Sequence, residues 1–286
     1  MRKERNDEMN EIFDKEEWAS RKQQDREAAY AMVDDTLKKM GTNGKAFQTY
    51  LDVQSKFERY SVSNALLVAA QKPEATCYRT YEDWSKENIS IRRGEKGFSM
   101  LVPNGTYTGK DGKTHTNFDV QKVFDISQTN AEKAPMSFDV RQSLQALLMR
   151  PVCPVQVVEQ QKGAVYVPDG NRVEIGRGLS VEESFRTLTM ALAHGELAKT
   201  IPDYKPGAPQ NSFYARCISY VVCVRYGVEP KTYSFQDLPQ ALGNCNNREL
   251  RQHLTVIRTA ALTMIDRADK AKQAILARQR EDRDPR

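Results

Sequence analysis

The chain has 286 residues, 39% of them hydrophobic and 28% charged, with a formal net charge of +5, a mean hydropathy of −0.68 and a pI near 8.8. That length accommodates two modest domains with terminal helices, and the positive balance permits an anionic polymer as partner without requiring one. Cys77, Cys153, Cys217, Cys223 and Cys245 are odd in number and contain no CxxC pair, which excludes a disulfide framework and a zinc knuckle; with no signal-peptide core and no apolar run of about 18 residues, a soluble cytoplasmic protein without membrane contact is expected.

Residues 1–44 are dense in charge, with Phe13, Trp18, Tyr30, Met32, Val33, Leu37 and Met40 as the main apolar positions. The periodicity from Ala28 to Met40 predicts a helix ended by Gly41-Thr42-Asn43-Gly44, an N-terminal arm laid across the next domain. Phe47, Tyr50, Leu51, Val53 and Phe57 predict a second helix. A third, capped by Ser61 or Ser63, has the apolar body Ala65–Ala70 and stops before Pro73. Tyr78, Tyr81 and Trp84, three residues apart, suggest a short helix with one aromatic side. Arg92-Arg93-Gly94-Glu95-Lys96-Gly97 reads as a turn with three cations, and Phe98–Val102 as a strand ended by Pro103. Asn104–Thr116, with Lys110, Lys113 and His115, reads as a hairpin or flexible loop, and Phe118–Phe124 as the returning strand.

Flat aromatics beside Arg and Lys suit a single nucleic-acid strand, because bases stack on rings while cations follow the phosphates. Lys45–Thr129 carries 12 Lys and Arg against 10 Asp and Glu, so a site there depends on local arrangement of charge. Phe57–Leu67, Gln71–Thr76, Trp84, Gly94–Gly97, Pro103 and Val123–Thr129 agree in order and spacing with the N-terminal domain of ArdC-type antirestriction proteins, which this stretch resembles over about Phe47–Thr129. The resemblance implies a single-stranded-DNA-binding domain, residues 45–130, in a protein of a conjugative or mobile element. Within it, Tyr81, Trp84 and Phe98 are the candidates for stacking, and Arg59, Arg92, Arg93 and Lys96 for phosphate. Asn64 and Gln71 are candidates for sugar or base edges.

Asn130–Ser137 reads as a linker. Beyond it, Val140, Leu144, Leu147 and Leu148 predict a helix closed by Pro151, and Val155–Val158, Ala164–Val167 and Val173–Ile175 predict strands, the first two separated by Gln160–Gly163. Ser180 with Glu183 forms a capping-box pattern for a helix over Val181–Lys199, and Ser212–Val228 predicts another. This pair resembles the zincin-like second half of ArdC-type proteins, whose first helix carries His-Glu-x-x-His and whose second adds an acidic ligand. Two histidines four apart on one helix face grip zinc, and the glutamate between them activates water. Here the corresponding positions are Met190, Ala191 and His194, with Arg216 at the acidic position. Residues 138–243 are therefore expected to be a degenerate zincin-like domain with no catalytic residue, no metal and no cofactor, a pseudoenzyme in which Arg216 pairs with Glu196 or Asp203. His253 belongs to a separate helix, with nothing to bring it to His194.

From Asn247 a long helix carries a narrow stripe of Leu250, Leu254, Ile257, Ala261, Met264 and Ala268, a seam with the N-terminal helix or with another chain. Residues 247–286 hold 10 basic against 6 acidic residues, and Arg280–Arg286 reads as a solvated tail. The fold class is α+β: a small sheet-and-helix N-terminal domain, then a mostly helical zincin-like domain with a short sheet and a long C-terminal helix. Single-stranded DNA is the expected partner, a restriction or conjugation protein a further one. The rival functions are an active zinc metallopeptidase and a protein-binding antidefence or conjugation accessory factor; the oligomeric state stays open.

Overall fold

The computed structural model describes residues 15–132, 138–159, 162–236, 238, 242 and 244–281. Phe13, most of the expected linker, part of the Gln160–Gly163 turn, Gly243 and the end of the basic tail lie outside the described residues.

Three helices open the chain: α1 (Lys15–Thr42), α2 (Gly44–Lys56) and α3 (Val62–Gln71). Asn43 caps α2 by accepting from the Ala46 N–H at 3.0 Å. Gly44 then has to be glycine, since a Cβ there would stand 2.0 Å from the Phe235 carbonyl oxygen. Of the two candidate caps, Ser61 starts α3, its Oγ accepting from the Asn64 N–H at 3.2 Å. Ala29, Val33, Leu37 and Met40 form the buried side of α1, which packs on α2, α3 and the first sheet. Lys22 anchors its outer part to Asp119 at 2.6 Å.

The first sheet is antiparallel in the order β1-β3-β2, with β1 Tyr78–Arg79, β2 Phe98–Thr108 and β3 Thr114–Asp125. Between β1 and β2 lies α4 (Tyr81–Lys86), capped by Thr80. The aromatic triple is thus split, Tyr78 on the strand and Tyr81 and Trp84 on the helix. Pro103 does not end β2; the strand continues to Thr108 after a register shift between Pro103 and Thr106. An edge strand and an adjacent bulge are where a residue without an N–H is tolerated.

In the rear half, α5 (Val140–Met149) precedes a second sheet of order β4-β6-β5, with β4 Val155–Val158, β5 Ala164–Val167 and β6 Arg172–Gly176. β6 runs parallel to β4 and antiparallel to β5. Helix α6 (Val181–Ala198) starts at the Ser180 cap. α7 (Pro209–Arg225) takes its first turn from Pro209 and stops before Gly227, whose φ is 73°. The last element, α8 (Asn247–Glu281), buries every residue of the expected stripe, with Ile265 and Ala271 added. It packs on α5 and α7 as well as on α1, so the seam lies within the chain.

The two halves share one apolar core. Phe47 of α2 meets Phe213 of α7 at 5.4 Å and Phe235 at 5.9 Å between ring centres. Glu58 accepts an ion pair from Arg225 at 3.5 Å. The architecture is α+β, with small sheets and a long C-terminal helix, and among the described residues no helix is long and apolar enough to cross a membrane.

Candidate nucleic-acid interface

Strand β2 is the free edge of the first sheet, and two side chains of α3 close it. The Asn64 amide donates to the Leu101 carbonyl and accepts from the Leu101 N–H, both at 2.9 Å. One strand repeat away, Gln71 donates to the Ser99 carbonyl at 3.0 Å and accepts from the Ser99 N–H at 2.8 Å. Each amide thus reproduces the donor-acceptor pair of a missing neighbouring strand. This corrects the assignment of Asn64 and Gln71 to sugar or base edges: both amide atoms of each side chain are engaged inside the protein.

The turn with three cations is likewise a joint. Arg92 donates to the carbonyls of Thr129, at 3.1 Å, and of Ser127, and pairs with Glu95 at 3.1 Å. Gln128 donates to Glu95 and to the Lys96 carbonyl, and accepts from the Asp125 N–H at 3.0 Å. Asp125 in turn accepts from the backbone of Thr76, Cys77 and Ser127. Burial alone raises the Asp125 carboxyl, but these bonds outweigh it and hold it below the ordinary carboxylate value. Arg92 is therefore a fastener between two turns, with its guanidinium occupied by protein acceptors.

Trp84 and Phe98 are corrected for a different reason, burial. Trp84 is 2% exposed and donates its indole N–H to the Phe124 carbonyl at 2.8 Å, while the Arg79 guanidinium lies 5.1 Å over its ring. Phe98 packs edge-on against Tyr78 at 5.3 Å. Neither ring is open to a base. Arg59 pairs with Asp266 of α8 at 2.8 Å, tying the end of α2 to the C-terminal helix.

Five of the predicted residues are exposed; Arg59 and Arg92 are engaged by the protein acceptors just named, whereas Tyr81, Arg93 and Lys96 are not. Tyr81, the first residue of α4, is 60% exposed. Arg93 and Lys96 are exposed on the fastened turn, their side chains without a partner among the described residues. Sequence reasoning missed Tyr107, which is 56% exposed and stacks on His115 at 5.5 Å across the β2–β3 hairpin. Its signal was present: two residues of opposite strands facing each other beside Lys110 and Lys113. Tyr60, stacked on Tyr78 at 5.3 Å, was also passed over.

In the rear half, Met190 and His194 follow one turn apart on α6, and Ala191 is buried. His194 Nδ1 meets the Tyr204 hydroxyl at 2.5 Å, and burial lowers its pKa from 6.5 to about 4, so the ring is neutral near pH 7. Arg216 donates to the Ser234 carbonyl at 3.2 Å and lies over Phe213. The expected pairing of Arg216 with Glu196 or Asp203 is not formed, because Glu196 is inside the fold and paired with Arg267 of α8. His253 bonds to the Tyr214 hydroxyl and faces Cys245. With Met, Ala and Arg at three of the four positions, one imidazole is the only ligand type left, and among the described residues no group of three His, Cys, Asp or Glu could hold a metal ion. These residues do not fit a zinc site.

Residues 27–137 match the family model described as the N-terminal domain of anti-restriction factor ArdC. No curated protein matches the chain. Among solved structures, the metal-free antirestriction ArdC protein of plasmid R388 aligns with a TM-score of 0.50 at 16% identity, covering 74% of this chain and 86% of that one. Its Mn(II)-bound form aligns with a TM-score of 0.51 at 15% identity, covering 73% and 85%. The chain thus carries an ArdC-type N-terminal domain over residues 27–137, and its fold is similar to that of the ArdC protein of plasmid R388.

Proposed function

We propose that the protein is a single-stranded-DNA-binding antirestriction protein of a conjugative or mobile element, in which the rear half keeps a metallopeptidase frame without peptidase activity. The observation that carries the DNA reading is the pair of unpartnered cations, Arg93 and Lys96, held on a fastened turn of an ArdC-type domain. A cation with no carboxylate partner gives up no ion pair when it meets a phosphate, and a rigid turn loses little entropy on binding. Tyr81 and Tyr107 supply exposed rings in the same half. The pseudoenzyme reading rests on the donor set at Met190, Ala191, His194 and Arg216.

Because α2 is packed against α7 and α8 closes over both halves, the test uses the full chain. A labelled oligonucleotide is titrated at two salt concentrations against wild type and an Arg93→Ala/Lys96→Ala variant. Loss of two phosphate contacts to a single strand is expected to lower the slope of log K against log salt by about 1.4. Equal affinity and slope for both proteins would remove the turn from the interface. For the rear half, stoichiometric zinc in protein purified without added metal would overturn the pseudoenzyme reading.

The alternative of a protein-binding accessory factor is favoured by one feature, an apolar groove lined by Leu144, Leu148, Val155 and Val157, with Val157 60% exposed. A Leu148→Glu/Val157→Glu variant that keeps oligonucleotide affinity but loses antirestriction activity would support it.

A further inference from the structure

Met190 and Arg216, two positions where a metal site would need ligands, line one cavity of about 420 Å3, together with Arg186, Thr187, Thr232 and Ser234. No carboxylate lines it among the described residues. Arg186 projects from α6 four residues before Met190; its Nε is buried and has no hydrogen-bond partner. Arg216, from α7, uses one nitrogen on the Ser234 carbonyl. Two arginines from two helices thus line one cavity with no opposing carboxylate among the described residues, and the buried Nε of Arg186 is an unsatisfied donor that costs free energy.

We infer that this cavity is an anion site for a phosphomonoester attached to an organic group of about nucleoside size. The reasons are charge, geometry and volume. Two positive charges match the charge of a phosphate monoester near neutral pH, and a guanidinium fork pairs with phosphate oxygens in a bidentate way. Thr232 and Ser234 also line the wall, whereas Thr187 donates its hydroxyl to the Glu183 carbonyl at 2.9 Å. The volume exceeds what phosphate alone fills and lies within the range of small-molecule sites. Met190, Ala164 and the Tyr233 ring, whose hydroxyl is bonded to Ser219 at 2.7 Å, offer the apolar remainder. Replacing an imidazole by methionine and a carboxylate by arginine turns a place suited to a cation into one suited to an anion. A free mononucleotide and the phosphorylated end of a DNA strand share this chemistry.

The site is independent of the DNA reading above, since Arg186 and Arg216 lie in the rear half and Arg93 and Lys96 in the front. Calorimetric titration of the full chain with adenosine monophosphate is expected to show binding that inorganic phosphate competes away. Adenosine without phosphate should bind at least about tenfold more weakly, as should the monophosphate to Arg186→Met or Arg216→Met. Arg216→Lys, which keeps the charge and loses the fork, guards against a folding defect and should bind more tightly than Arg216→Met, with melting temperatures recorded for all variants. An oligonucleotide phosphorylated at its end that binds more tightly than its unphosphorylated twin identifies the strand end as the source; equal binding of the two, with the mononucleotide bound, identifies the free nucleotide. Adenosine binding as tightly as its monophosphate, no binding of phosphate or the monophosphate at millimolar concentration, or folded Met variants that bind like wild type would each overturn the inference. Loss of oligonucleotide binding in the Arg93→Ala/Lys96→Ala variant with mononucleotide binding intact concerns the other reading alone.

Discussion

The polar residues that mark the front half and those that mark the rear half do opposite jobs. Around the first sheet, Asn64, Gln71, Arg92, Asp125 and Gln128 each bond backbone atoms of a segment distant in sequence. In the rear half, Met190 and Arg216 border a cavity, and of the four positions Met190, Ala191, His194 and Arg216, His194 alone has a zinc-ligating side chain. The polar residues in front thus build the frame, whereas two of the motif positions behind border a space they leave unfilled. The difference teaches that polar motif residues have to be sorted by what their side-chain atoms already hold before any is given a ligand.

The sharpest way to break this comparison is to remove a frame residue and a cavity residue and compare stabilities. Asn64→Ala leaves the N–H and carbonyl of Leu101 without partners in a buried place, which is expected to cost about 3 kcal/mol. Arg216→Met removes one exposed bond to Ser234 and the guanidinium over Phe213 and is expected to stay within about 1 kcal/mol of wild type. Urea denaturation of the two variants decides it. Should Asn64→Ala unfold at the same urea concentration as wild type, the edge of β2 has another partner and the front motif is not a structural one.

A smaller effect sharpens the rear half. His194 has a folded pKa lowered to about 4 by burial, against 6.5 for an ordinary imidazole. Below 6.5 the unfolded chain takes up a proton that the folded one refuses, so stability falls as pH drops from 6.5 toward 4 and is flat above 6.5. After allowance for partial solvent contact, the loss is about 2 kcal/mol. His194→Gln is expected to reduce the slope in that window, leaving the part owed to His253, whose pKa burial also lowers, and leaving Asp125, whose pKa is held below the ordinary carboxylate value, to act at more acid pH. Thermal melts at closely spaced pH values separate the two. An unchanged slope in His194→Gln would mean that the imidazole is not the buried neutral group described.

Much of the frame was legible in the chain because it is written in apolar spacing: the α8 stripe from Leu250 to Ala268, the three short strands of the second sheet, and the Ser61 and Ser180 caps all follow from periodicity and local chemistry. The extension of β2 beyond Pro103 was not, since a proline carries no sign that its strand lies at an edge. The candidate interface was legible to a lesser degree. Tyr81, Arg93 and Lys96 are open as read, whereas Trp84 and Phe98 could not be told from exposed aromatics by spacing alone. Asn64 and Gln71 show the limit most clearly, because an amide reading a base and an amide capping a strand edge need the same residue, and only the position of β2 distinguishes them. The Arg186–Arg216 cavity was invisible, its parts lying 30 residues apart in helices whose packing joins them.

The mildest prediction concerns the exposed ring itself. Tyr81 is capped into place by Thr80, whose Oγ accepts from the Asp83 N–H at 3.0 Å, so the ring sits at the rigid start of α4 with most of its surface in water. A base stacking there contributes about 1 kcal/mol, the low end for such contacts, because one face at most is free. Tyr81→Ala is therefore expected to weaken oligonucleotide binding about fivefold, with no change in the salt dependence because no phosphate contact is lost. Tyr81→Phe should bind like wild type, since stacking uses the ring and not the hydroxyl. If the alanine variant alters the salt slope instead of the affinity at fixed salt, the tyrosine acts by positioning the cations of the neighbouring turn, and the front half reads single strands by charge alone.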